Sequence, residues 1–233
     1  MDSGRTYMKQ NMIAKFKELF NRTDGNVYYS PGRVNLIGEH IENNGGFVFP
    51  CALSYGTYGI AAKRDDQKVR VFSNLFSQEA YIFDLNNLVK DPENSWADYA
   101  KGSIKAILDK GYKISSGIDL YMEGTLPVNA GLSSSSSLEL LILYIFDNLN
   151  NLNINRPEMA LLGKYVENNF IGVNSGIMDQ FIIATGQKDH AILLNTETLD
   201  YQQIPLKLDS YSLLIVNTNK QRGGKGVFTR SAE

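Results

Sequence analysis

The sequence predicts an α+β fold, and three observations carry that prediction. Short β-like runs bounded by Gly, Pro, Asn or Asp fill residues 27–84. Helical periodicity lies on both sides of them. No internal repeat or clear linker separates the two, so both element types share one core. At 233 residues, 43% of them hydrophobic, with 11 Phe and 13 Tyr, the chain can fill such a core.

In chain order, Tyr7–Phe20 places Ile13, Phe16, Lys17 and Phe20 at helical spacing, and Asn21–Gly25 is a polar stop. The polar face is not strongly basic, so an amphipathic helix packed on the body is expected rather than one lying on a membrane. From Val27 the runs VYYS, FVFPCAL, TYGIAAK, VRVFS and AYIFD read as an antiparallel or mixed sheet. Trp96–Lys110 is helical through Trp96, Ala100, Ile104, Ile107 and Leu108, with Gly111 as its stop, and Gly117–Thr125 alternates as a strand. Pro127–Glu139 then takes a glycine turn and five serines into the apolar segment LELLILYIF, where Ser133 or Ser134 can cap a helix reaching about Leu149. Pro157 opens a further helix that Gly172 ends. Ile192–Leu194 and Leu213–Val216 are expected as strands.

Composition removes several classes of function. The 23 basic and 25 acidic residues nearly balance, so no global field recruits nucleic acid or anionic lipid. One cysteine, Cys51, and two histidines, His40 and His190, exclude a disulfide framework or a Cys/His zinc cluster. The longest apolar run, Leu138–Phe146, is too short to span a bilayer, and the first residues lack the apolar core of a signal peptide, so a cytoplasmic protein is expected.

Three stretches hold the chemistry. In the first, Arg33, Glu39, His40 and Glu42 alternate with Val34, Leu36, Ile37 and Ile41. Apolar neighbours draw such charges out of bulk water, where a polyhydroxylated ligand would satisfy them; a solvated turn before an ordinary strand fits the composition equally. In the second, the serine run at a helix start presents unpaired N–H groups and hydroxyls, the requirement for holding phosphate. No G-x-G-x-x-G is present, and Asn219–Gly226 fails the Walker pattern, so a different phosphate-binding fold is required. In the third, Glu167 and Asp179 are separated by twelve residues and two turn glycines, Gly172 and Gly176. Such a pair can divide the work, one acid holding Mg²⁺ and the other orienting or deprotonating a hydroxyl.

These stretches together resemble the galactokinase family of the GHMP small-molecule kinases, from about residue 26 to Lys220. Gly32–Gly46, GRVNLIGEHIENNGG, is similar to the family signature GRxNLIGEHTDYNGG. Pro127–Ser137 is similar to the superfamily's P-x-G-x-G-L-S-S-S-A-S, and GIMDQF stands unchanged at Gly176–Phe181. The resemblance implies a GHMP kinase N-terminal domain, ribosomal protein S5 domain 2-like, whose mixed sheet carries helices on one face and which stops before a second domain is complete. Residues 1–25 would be an N-terminal helical segment, 26–220 the family region and 221–233 a divergent tail.

The resemblance also implies an activity, ATP-dependent phosphorylation of galactose at its C1 hydroxyl with Mg²⁺. Asp179 would face that hydroxyl, with Arg33 stabilising charge on the transferring phosphoryl group. Ser135 and Glu167 match the family's Mg²⁺ ligands. Gly131, Leu132, Ser133, Ser134, Ser135 and Ser136 would cradle ATP, and Glu39, His40 and Glu42 would contact sugar hydroxyls. The implied partners are a small-molecule sugar and ATP, with no nucleic acid or membrane, and a monomer is favoured.

Four departures stand out: Ile41-Glu42-Asn43 replaces Thr-Asp-Tyr, Asn129 replaces the loop's first Gly, Ser136 replaces its Ala, and the chain after Lys220 leaves the pattern. Glu42, longer than Asp by one methylene, leaves the sugar open. Other GHMP kinases share the serine loop. A non-catalytic sugar and ATP sensor or a fragment without ligand binding are the alternatives, and the intact Ser133–Ser137 favours descent from an enzyme.

Overall fold

Strand β3 (Pro50–Lys63), 14 residues long, is the axis of the sheet. The structure is a computed structural model that describes residues 3–76, 79–126 and 131–216, excepting the side chains of 3–5 and 43. Pro127, Asn129 and the expected tail 221–233 lie outside the described residues.

The eight strands follow the order β2 (Phe47–Val48), β7 (His190–Asn195), β3, β6 (Ile118–Gly124), β4 (Lys68–Ser73), β5 (Tyr81–Asp84), with β1 (Asn26–Asn35) also pairing with β3 and β8 (Tyr201–Pro205) with β7. All pairings are antiparallel except β4 with β6, which makes the sheet mixed.

One face is covered by α2 (Asp98–Asp109), α3 (Ser134–Asn150), α4 (Arg156–Tyr165) and α5 (Met178–Thr185). Leu141, Ile142, Ile145 and Phe146 of α3 meet Val71, Leu120 and Met122 of the sheet and Phe181 and Ile182 of α5 in one cluster. Full burial of each such side chain contributes about 1.5–3 kcal/mol. The other face carries α1 (Ser3–Phe20), whose Met12, Phe16 and Phe20 cover Tyr58, Ile60, Ala62, Phe72 and Tyr121. The buried stripe runs at i, i+4, i+8 through Met12. Ile13, expected inside, is one position round the helix and 48% exposed.

An ionic cluster ties the end of α1 and the residues just after it to the interior strands β4 and β6. Asp119 of β6, fully buried, accepts from Arg22, Arg64 and Arg70, and the Arg70 guanidinium also lies 5.0 Å from the Phe20 ring centroid. Burial pushes the Asp119 carboxyl up, but the hydrogen bonds from Arg70, Arg64 and Arg22 outweigh it and hold the group below its ordinary value.

Five local expectations change. Trp96 sits in a 3₁₀ segment, Pro92–Ala97, opened by Asp91, whose side chain accepts from Glu93 N; α2 begins only at Asp98. Helix α5 and strand β8 were not expected. Leu213–Val216 is irregular rather than a strand, with no ladder partner among the described residues. The helix opened by Pro157 does reach Gly172, but its last turn, Val166–Ile171, is a wider π turn, closed by Gly172 at φ 87°.

Candidate active site

The site forms where β1, the start of α3, the π turn and the start of α5 meet. Strand β1 carries an irregularity between Pro31 and Arg33, which re-aims the strand at that point. Gly32 lies so close to Leu126 and the Leu132 carbonyl that any Cβ would displace them. Arg33 N donates to Leu132 O at 3.2 Å, binding the strand to the serine loop.

Arg33, nine-tenths buried, grips Asp179 with two nitrogens: Nε donates to Oδ1 at 2.6 Å and Nη2 to Oδ2 at 2.8 Å. Its third nitrogen, Nη1, donates to Gly131 O at 2.6 Å. This fork locks Asp179, in the first turn of α5, beside the serine loop.

The five serines divide into separate tasks. Ser133 has a left-handed backbone, φ 56° and ψ 51°, and makes no side-chain cap to α3; its Oγ donates instead to Asp179 Oδ2. The expected cap at Ser133 or Ser134 is therefore absent, because the hydroxyl of Ser133 turns away from the helix. Ser134 is exposed. Ser135 Oγ donates to Glu167 Oε1 at 3.0 Å. Ser136, buried, accepts from Gln180 Nε2 at 3.4 Å, so its hydroxyl has a partner. Ser137, fully buried, donates to Ser30 O and shares a second hydrogen bond with Thr57 Oγ1, both 2.9 Å, fastening α3 to β1 and β3.

Glu167, carried by the π turn, is buried, and its second oxygen accepts from Gln180 Nε2 at 3.0 Å. Ser135 and Glu167 present hard oxygen donors side by side, the chemistry Mg²⁺ requires. Among the described residues no group of three or more His, Cys, Asp or Glu forms a metal cage. A site with one carboxylate and one hydroxyl suits an ion that keeps waters and takes phosphate oxygens.

The expected sugar residues separate. Glu42 is half-buried, and its Oε2 accepts from Met178 N at 2.8 Å, at the start of α5. A Cβ on Gly176 would overlap the Glu42 carboxyl, so glycine there serves close approach rather than a turn of positive φ. Burial, then the neighbouring Asp179 and Glu39, push the Glu42 carboxyl up, against opposing help from Met178 N–H and Arg33. Glu39 and His40 are exposed, Glu39 accepting from Asn35 Nδ2 at 2.9 Å and His40 standing at φ 61°. The expectation that apolar neighbours draw these charges from water fails for both, because Ile37 and Ile41 are themselves 70% and 40% exposed.

A cleft of about 450 Å³ opens beside Ser134 and Ser135, lined by Phe76, Trp96, Tyr99 and Leu126. Phe76 and Trp96 are stacked, their centroids 6.2 Å apart, and Tyr81 meets Trp96 edge-on. The buried pair Lys101–Asp98 stands behind them, with Lys101 Nζ donating to Tyr81 Oη at 3.0 Å. The sequence reading did not find this cleft, nor Glu139 and Gln180. A carboxylate inside LELLILYIF was the available signal for Glu139.

Residues 14–63 match the galactokinase galactose-binding signature, and residues 98–187 match the GHMP kinases N terminal domain. A galactokinase from Fusobacterium nucleatum is 50% identical over 219 residues, covering 93% of this chain and 56% of that protein. The structure of Lactococcus lactis galactokinase complexed with galactose superposes with a TM-score of 0.92 at 42% identity, over 96% of this chain and 58% of that one. Methanococcus jannaschii mevalonate kinase, at 20% identity and a TM-score of 0.65, shares the fold. The chain spans about half the length of the curated relatives it matches.

Proposed function

Because the chain belongs to the galactokinase family of GHMP kinases, we propose that it carries the phosphoryl-transfer site of an ATP-dependent kinase that phosphorylates galactose at C1. The observation that carries this reading is the Asp179 carboxylate, held by two nitrogens of Arg33 and by Ser133 at the start of the serine helix. Phosphoryl transfer depends chiefly on alignment and charge stabilisation, so a carboxylate fixed from three sides is fitted to orient a sugar hydroxyl and accept its proton late. The buried Arg33 stabilises charge on the transferring group.

The nucleotide lies with its phosphates at the N–H groups of Gly131–Ser134 and its base in the aromatic cleft against Trp96 and Phe76. A flat ring system suits the stacked pair, and the serines open onto the same cleft. Ser135 and Glu167 hold Mg²⁺, which when bound neutralises phosphate charge. Glu39, His40 and Glu42 meet the sugar hydroxyls. The engagement of Glu42 with Met178 N supports a sugar pocket that differs from one built on Asp at this position.

A coupled ADP-release assay with galactose and its epimers tests the reading. Activity on galactose that Asp179→Asn abolishes is the expected result. Release of ADP that persists in that variant would sink the assignment of Asp179, and binding of ATP and sugar without turnover would favour the sensor.

A further inference from the structure

Glu139 is the one carboxylate within the apolar run of α3, and its side chain is fully buried with neither oxygen hydrogen-bonded. Across from it on α5 stands Gln180, also fully buried. Both donors of the Gln180 amide are committed, Nε2 to Glu167 Oε2 at 3.0 Å and to Ser136 Oγ at 3.4 Å, while its Oε1 has no partner. Turning the amide over would set its oxygen against the Glu167 carboxylate, so the oxygen faces away from Glu167. The two side chains interact, yet no hydrogen bond of standard geometry joins them. Two sets of acceptors thus share one dry layer, and acceptors alone cannot satisfy each other.

We propose that Glu139 is a positioning residue: as a neutral acid it donates to Gln180 Oε1 and fixes the amide that orients Glu167. The hydrogen on Glu139 converts two orphaned acceptors into a donor–acceptor pair. The chain Glu139, Gln180, Glu167, Ser135 then runs without a break from the core to the edge of the cleft. An ionised Glu139 would instead place an unpaired charge in the core beside Glu167 and Asp179. Burial first, then the charges on Glu167 and Asp179, push the Glu139 carboxyl up, and together they outweigh the opposing pull of the Gln180 amide. The role rests on the assignment of Glu167 and Ser135 to Mg²⁺.

The test is Mn²⁺ binding to the whole protein in the presence of ADP, followed by the electron paramagnetic resonance of free Mn²⁺. Glu139→Gln retains a donor without a charge and is expected within about twofold of wild type, whereas Glu139→Leu binds Mn²⁺ about 10-fold more weakly, the scale of losing an outer-shell partner. Gln180→Leu weakens binding similarly, and the double variant is no weaker than either single one, because both act on the same pair of oxygens. Metal-free ADP binding is unchanged throughout. Unaltered Mn²⁺ affinity in Glu139→Leu, or a loss in Glu139→Gln as large as in Gln180→Leu, overturns the role; the second comparison decides it if the leucine variant at 139 does not fold. Failure of the wild-type protein to bind Mn²⁺ with ADP removes the metal-site reading itself, and this role with it.

Discussion

The hydroxyl of Ser133 donates to the carboxylate of Asp179, 46 positions away, and not to the helix that it begins. A serine before an apolar helix is ordinarily its cap. Here the left-handed backbone at Ser133 turns the side chain toward the start of α5. The first turn of α3 thereby gives up a cap, and Asp179 gains a third fixed donor beside the two nitrogens of Arg33.

Ser133→Ala should therefore separate activity from stability. No cap bond is lost, so the change in unfolding free energy stays within about 0.5 kcal/mol. The rate of phosphoryl transfer falls by about 10-fold as Asp179 loosens. Denaturant melts and steady-state kinetics on one preparation check both; a large stability loss would show that the hydroxyl serves the helix after all.

Arg33→Lys keeps the charge but not the fork. An ammonium cannot span both oxygens of Asp179 and reach Gly131 O together, so kcat falls by about 100-fold or more. Preserved turnover in this variant would mean that charge alone suffices at position 33.

Gly176→Ala acts on Glu42. The added methyl occupies the space of the Glu42 carboxyl, the end of a flexible side chain that can move aside, so stability falls by only about 1 kcal/mol. Met178 N then loses its acceptor, and discrimination between galactose and its epimers shifts. Comparing kcat/KM across the epimers measures the effect; an unchanged ratio would place Glu42 outside sugar selection.

Trp96→Leu removes the stacking face of the aromatic cleft. KM for ATP should rise by about 10-fold, equivalent to ~1.4 kcal/mol of lost stacking, while KM for the sugar stays the same. A rise confined to the sugar would relocate the nucleotide.

Asp119→Asn strips the buried carboxylate from three arginines and should cost about 3–5 kcal/mol at pH 7. The pH dependence has a defined sign. Because the folded-state pKa of Asp119 is depressed, its stabilisation is fully present above the unfolded value, about 3.9, and is lost as pH falls through the lower folded value. Wild type and variant should thus converge in stability only in strong acid, and chemical denaturation at pH 7, 4 and 2.5 checks this.

Most elements were legible because their periodicity is local. The β runs, the helix after the serines and the stop at Gly172 each follow from neighbouring residues and lie in the expected regions, although FVFPCAL divides between β2 and β3 and its end joins TYGIAAK in the one strand β3. Helix α5 escaped because its eight residues are too few to show a period, and the Leu213–Val216 strand failed because apolar alternation cannot specify a ladder partner. Met12 displaced Ile13 in the core because one position rotates a side chain by about 100° around a helix.

The chain's order of residues by itself determined the class of fold, the three motif stretches and the family resemblance, since each depends on types and spacings that survive without coordinates. It also marked Asp179, Arg33, Ser135 and Glu167 as candidates. Only the tertiary structure decided who holds whom. Arg33 and Asp179 are 146 positions apart, Ser135 and Glu167 are 32, and their union depends on the packing of α3, the π turn and α5 against β1. The same packing gave Ser133 to Asp179, gave Glu42 to the backbone of α5, and set Glu139 against Gln180. Side-chain direction is fixed by the dense contacts of a folded core, and those contacts are made between residues that the linear chain keeps apart.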